Sequence, residues 1–198
     1  MNELMTPQRI AALITESADV KRLLAEHCTD AIHRCGAILS DAANARRLIM
    51  LCGNGGSAAD SQHIAAELVV RLRGSVERRA IAALALTVDS SILTAGGNDY
   101  GYERVFARQV EAYGNEGDVL IAITTSGTSP NVVAAVKEAH ARGVKTIGLL
   151  GGTGGVLQDL CTESVVVPSS ITARIQECHI LIGHIWCEMI EDQLMPGK

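Results

Sequence analysis

The sequence predicts an α/β fold, a three-layer α/β/α sandwich around a central parallel sheet of five strands, preceded by a helical arm. Three observations predict it. From residue 48 onward, short β-rich apolar runs alternate with longer segments of helical periodicity. The strand-like runs are apolar almost without interruption, as expected of a parallel sheet covered on both faces. Turns rich in glycine and hydroxyls follow several strands, where such folds place the loops that enter helices.

Residues 6–47 read as two helices, with Ile10, Leu13, Val20, Leu24, Ile32 and Ile38 at helical spacing. Strands are expected at 48–52, 81–87, 119–124, 146–150 and 164–167, and helices at 58–72, 102–113, 131–141 and 172–194. The last helix is apolar nearly all round, with Cys178, Ile182, Ile185 and Met189 on one stripe, so it should lie centrally. We divide the chain into a helical arm, 1–46, and a sandwich domain, 47–198.

A chain of 198 residues with 47% apolar and 20% charged residues forms an ordinary globular core. The formal net charge of −5 excludes broad nucleic-acid binding, which needs a positive surface. Any phosphate is therefore expected to be held by backbone N–H groups and hydroxyls rather than by a lysine cluster. The six cysteines form no C-x-x-C pair and no zinc-finger spacing, so they read as buried thiols. With neither a signal-peptide pattern nor an apolar stretch of about 18 residues, the reducing cytoplasm is the expected location.

Three loops qualify as ligand sites. The first, Leu51-Cys-Gly-Asn-Gly-Gly-Ser57, joins a strand to a helix and can turn backbone N–H groups toward an anion. It matches neither G-x-G-x-x-G nor the P-loop, so a nucleotide fold is weakly supported, and its glycines could serve only a tight turn. The second, Thr124-Thr-Ser-Gly-Thr-Ser-Pro130, crowds five hydroxyls around one glycine at a helix start, suiting a phosphate monoester or ordinary capping. The third, Gly151-Gly-Thr-Gly-Gly155, reads as a structural turn.

His63 and Glu67 lie four residues apart, on one helix face just after the first loop, where they could bind a metal or move a proton. Gln176, Glu177, His179 and His184 interrupt the apolar last helix. At about 100° per residue, Glu177 and His184 are nearly in line, whereas Gln176 lies about 80° from His184. Spacing alone would pair His184 with Glu177 and does not settle the matter.

Together these segments resemble the sugar-isomerase (SIS) fold, and more closely the phosphoheptose isomerase family, which acts on sedoheptulose 7-phosphate. The matching pieces are Cys-Gly-Asn-Gly-Gly-Ser-Ala-Ala-Asp at 52–60, Gln62-His63 with Glu67, Leu93-Thr-Ala, and Asn98-Asp99-Tyr100. Gly117-Asp118, Thr125-Ser-Gly, Ser129-Pro130-Asn131 and Arg174-Ile-Gln-Glu with His179 and His184 follow in order, so the resemblance covers about 45–194. It implies Glu67 as general base and His184 as general acid. Ser57, Thr124, Ser126 and Ser129 would form a phosphate cradle, with Asn54, Gly55, Gly56, Asn98, Asp99, Thr125 and Gln176 as further substrate contacts. Some relatives hold zinc through residues corresponding to His63, Glu67, Gln176 and His184, so the resemblance favours Gln176 over Glu177. It also implies a homotetramer, for which the apolar N-terminal helices are suited.

Two departures from the family pattern stand out. Thr124 replaces the usual serine, keeping the hydroxyl but adding a methyl group. The stretch 71–79, Arg-Leu-Arg-Gly-Ser-Val-Glu-Arg-Arg, replaces an aromatic and proline-containing connection, and its arginines read as a solvated loop. A non-catalytic SIS adaptor protein that binds a replication-initiator partner is the main rival. That branch lacks the base and acid, whereas Glu67 and His184 are both present here. A DNA-binding sugar-phosphate sensor would need a helix-turn-helix, and none is seen.

Overall fold

The computed structural model describes residues 5–195. Helix α1 (Pro7–His27) starts where Thr6 Oγ1 accepts from the Arg9 N–H at 3.2 Å and Pro7 supplies the first turn. Helix α2 (Thr29–Asn44) follows without a loop. The alternating part runs β1 (Ile49–Gly53), α3 (Gly56–Val69), β2 (Ala83–Ala85), α4 (Ser90–Tyr100), a 3-10 turn (Tyr102–Arg104) and α5 (Val105–Tyr113). It continues with β3 (Val119–Thr124), α6 (Pro130–Ala141), β4 (Lys145–Gly151), α7 (Leu157–Leu160), β5 (Glu163–Val167) and α8 (Thr172–Leu194).

The five strands form one parallel sheet in the order β2-β1-β3-β4-β5. Side chains alternate between its two faces. Ile49 and Leu51 of β1 join the core under α1, α2, α3 and α8, while Met50 and Cys52 join the core under α5 and α6. This is the predicted three-layer sandwich; β1, β3 and, beyond Lys145, β4 are buried on both faces, whereas the edge strands β2 and β5 are partly exposed.

The chain runs from β1 outward to β2, then returns to lay β3 on the other side of β1. Connections leave β1 and β3 in opposite directions, opening a crevice at their carboxyl ends. The first two candidate loops leave from those ends, so the topology alone makes them neighbours.

Helix α4 was not expected from the sequence. Asp89 caps it, accepting from the Ile92 N–H at 2.9 Å, but none of its residues is buried and it ends in Gly-Gly-Asn-Asp-Tyr. Those residues are poor helix formers and mask the periodicity. The helix expected at 102–113 opens instead as the 3-10 turn.

The cysteines are free thiols, all buried except Cys161, which is half-buried. Burial pushes the Cys35 and Cys187 thiols up to about 12, which keeps them protonated and inert.

His179 is fully buried on α8, with Nε2 3.0 Å from the Leu150 carbonyl oxygen. Burial pushes its pKa down to about 4, against the opposing effect of that hydrogen bond. Above about pH 6.5 the ring is neutral in both folded and unfolded chains, and its full contribution is present. Between 6.5 and 4 the unfolded chain takes a proton that the folded one refuses, so stability should fall by up to about 1.4 kcal/mol per pH unit. Denaturant unfolding of wild type and His179→Gln across that range should show the slope flattened in the variant. Equal slopes would assign the acid sensitivity elsewhere.

Candidate active site

The first loop turns on two glycines with different tasks. Gly55 has φ +56, a conformation that L side chains rarely adopt, and it caps α3. Gly56 leaves room for α8: a Cβ there would overlap the Gln176 side-chain amide. Ser57 follows, buried in the first turn of α3.

In the second loop the hydroxyls converge. Thr124 Oγ1 lies 3.1 Å from Ser129 Oγ and 3.4 Å from Ser126 Oγ, and Ser126 Oγ accepts from the Thr128 hydroxyl at 3.1 Å and its N–H at 3.3 Å. Pro130 then opens α6. Gly127, at φ +67, packs against the third loop, where a Cβ would overlap the Gly154 carbonyl, and its own carbonyl accepts from the Leu157 N–H at 3.2 Å. The glycines of 151–155 thus form the structural turn expected, one that supports the hydroxyl loop from beneath.

A pair of amides ties the first loop to α6. Asn54 Nδ2 donates to Asn131 Oδ1 at 2.9 Å, Asn131 Nδ2 donates back to Asn54 Oδ1 at 2.8 Å, and the Tyr102 hydroxyl donates to Asn54 Oδ1 at 3.3 Å.

The titratable groups come from two helices running side by side in the same direction. Gly56 of α3 faces Gln176 of α8, Ile64 faces Gly183, and His63 faces His184. Gly183 permits the close approach, since a Cβ there would press on Ile64. His63 Nε2 lies 2.9 Å from His184 Nε2, one ring donating and the other accepting, with ring centroids 5.1 Å apart. Glu67 Oε1 lies 3.5 Å from the same His63 nitrogen, and its side chain is 21% exposed. Glu67 and His184 therefore both lie against one atom, the His63 Nε2. Asp60, one turn before His63, buries its Oδ2 without a partner; burial pushes its carboxyl pKa up, against the pull of His63.

The SIS-domain family model matches residues 14–151. A phosphoheptose isomerase from Nitratiruptor sp. is 60% identical over 161 residues, 81% of this chain and 85% of that protein. One from Aquifex aeolicus is 48% identical over 94% of this chain and 97% of its own length. The chain belongs to the phosphoheptose isomerase family. The solved phosphoheptose isomerase of Neisseria gonorrhoeae superposes with a TM-score of 0.88 at 41% identity, covering 93% of this chain and 98% of that one. Like these relatives, this family member is an isomerase acting on a sugar phosphate.

Not every residue expected at the phosphoheptose isomerase site is drawn into one network. Asn98 and Asp99, at the exposed end of α4, bond to each other (Nδ2 to Oδ1, 2.7 Å) and to neither loop. The pairing of His184 with Glu177 is corrected. Glu177 turns to α1, accepting from Ser17 Oγ at 2.6 Å and from the Arg174 guanidinium at 3.1 Å. Gln176, one position earlier, is the residue facing α3. Asn131 and Tyr102 were not among the expected site residues. Asn131 lay inside the matched Ser-Pro-Asn run, but an amide with no stated partner gives no signal in a sequence.

The solvated reading of 71–79 is also corrected. Arg71 is exposed beside Glu77 (2.9 Å), but the Arg78 side chain is 1% exposed and bonds Glu191 Oε1 at 3.2 Å. Arg73 bonds Glu191 Oε2 at 2.9 Å, and the Leu72 N–H donates to Oε1 at 2.9 Å. Burial works against ionisation of Glu191, but these donors outweigh it and hold its carboxyl below the usual carboxylate range.

Proposed function

We propose that the protein is a ketose–aldose isomerase that converts sedoheptulose 7-phosphate to D-glycero-D-manno-heptose 7-phosphate, the first step toward a heptose-nucleotide precursor. The observation that carries this reading is the placement of Glu67 and His184 against one His63 nitrogen. It is supported by the hydroxyl loop that leaves β3, the strand next to β1, and by 60% identity to a phosphoheptose isomerase.

Isomerisation needs an anchored open chain, a base over carbon and an acid at oxygen. Ser57, Thr124, Ser126 and Ser129, with the N-termini of α3 and α6, hold the phosphate. Asn54, Thr125, Asn98, Asp99 and Gln176 contact the hydroxyls, and the backbone at Gly55 and Gly56 lets the sugar approach closely. Glu67 takes the proton from C1; the C1–H electron pair becomes the C1=C2 bond, and the carbonyl oxygen on C2 receives a proton from His184. His184 then removes the O1 proton while Glu67 returns its proton to C2, leaving an aldehyde at C1 with no net oxidation.

His63, Glu67, Gln176 and His184 are the residues that would hold zinc. Tetrahedral zinc keeps nitrogen donors about 3.3 Å apart, and the 2.9 Å and 3.5 Å separations around His63 bracket that spacing. Among the described residues no group of three His, Cys, Asp or Glu forms a finished metal cage. The donors fit in kind, and Gln176 faces α3 at Gly56, eight residues before His184 on α8. A bound ion would polarise the substrate carbonyl as a Lewis acid or brace the pocket. Chelation should lower activity and zinc should restore it; full activity in protein verified metal-free would make the ion dispensable.

The assembly proposed is a homotetramer built on α1, where Ile10 and Ile14 are 48% and 65% exposed. Light scattering at micromolar concentration should give four times the chain mass, and a monomer mass would reject it. We place the enzyme in the cytoplasm, on the strength of its free thiols. Coupled assay against C5 to C7 ketose phosphates tests the function itself. Turnover should be greatest with the C7 ketose, and absence of turnover with every substrate would remove the proposal.

A further inference from the structure

The loop after α3 carries a charged group that the reaction scheme leaves unused. The buried Arg78 guanidinium has four acceptors: Glu191 Oε1 at 3.2 Å, Leu68 O at 2.9 Å, Arg79 O at 3.1 Å and Glu67 O at 2.7 Å. Two of these are carbonyls at the C-terminal end of α3, which no further turn of helix can satisfy. One belongs to the residue whose carboxylate is the proposed base.

Glu191 is on α8, seven residues beyond His184, so the two lie within about 20° on one flank of the helix. Glu177 starts the same flank but is covered by α1, and Glu191 ends it, covered by the Arg78 loop. His184 lies between them, beside His63. We propose that Arg78, braced by Glu191, is a positioning residue that fixes the last turn of α3, with Glu67, against the part of α8 that carries His184. Arg78 touches no reacting atom and acts through the backbone of Glu67. The base and acid stand on different helices, so their separation is set by what joins those helices, and this is the buried charged link between them.

The inference rests on the proposed isomerase reading, and its test separates the two. A buried ion pair replaced on both sides by apolar residues of similar size often keeps its stability. Here the exchange also takes partners from the Glu67 and Arg79 carbonyls and from the Leu72 N–H, so Arg78→Met/Glu191→Leu should melt below wild type, while kcat of the folded variant falls about tenfold to a hundredfold. KM should change little, because the phosphate loops lie elsewhere. Arg78→Lys, which keeps the charge but not the planar fork, should show the same split to a smaller extent and serves if the double variant does not fold. A folded variant with kcat within twofold of wild type, or a loss that only tracks the folded fraction, overturns the assignment. If wild type itself turns over no sugar phosphate, the isomerase reading fails and the clamp is judged by NMR of the His63 and His184 rings. Displaced ring signals in the variants would then support it, and unchanged ones would overturn it.

Discussion

Glu67→Gln should lower kcat about 10²–10⁴-fold, roughly 3–5 kcal/mol of transition-state stabilisation, and leave the fold intact. The amide has the shape of the carboxylate but accepts no proton at neutral pH. Among the described residues the Glu67 side chain has no hydrogen-bond partner, and the His63 ring beside it is 3.5 Å away and 48% exposed. Little folding energy is therefore at stake, and the change isolates chemistry from stability. Single-turnover assays beside thermal melts would check it. More than a tenth of wild-type turnover in the variant would take Glu67 out of the mechanism.

Gly127→Ala should damage substrate capture instead. At φ +67 a side chain costs about 1–2 kcal/mol, and the new methyl group would strike the Gly154 carbonyl. Neither loop can yield easily, because Gly155 also packs against the Gly127 carbonyl and its own φ is +55. The hydroxyl loop would move off the glycine turn, taking Ser126 and Thr128 out of register with Thr124 and Ser129. Loss of one hydrogen bond to a charged phosphate is worth about 1.5–3 kcal/mol, so KM should rise about tenfold or more. Unchanged KM in a folded variant would show that the glycine turn does not support the cradle.

Local pattern made much of this legible. The bounds read for 119–124 and 172–194 coincide with β3 and α8, because an unbroken apolar run and a long apolar periodicity are each confined to one element. Both candidate loops were visible because glycine and hydroxyl side chains act through their own backbone and near neighbours. The loop 71–79 was misread for the opposite reason. Four arginines in nine residues look solvated, and Arg78 is neutralised by a carboxylate 113 residues further along the chain.

Composition and periodicity therefore suffice for the layers, the sheet and the two loops that lead from β1 and β3 into helices, since each follows from interactions within a few residues. Which polar groups on α8 face α3 is different. Gln176 and Glu177 are adjacent, and the wheel favoured the wrong one, because their directions become meaningful only once α1 has claimed Glu177 and Gly56 has made room for Gln176. The same holds for Asn54 with Asn131 and for Arg78 with Glu191, pairs made by folding between segments distant in the chain.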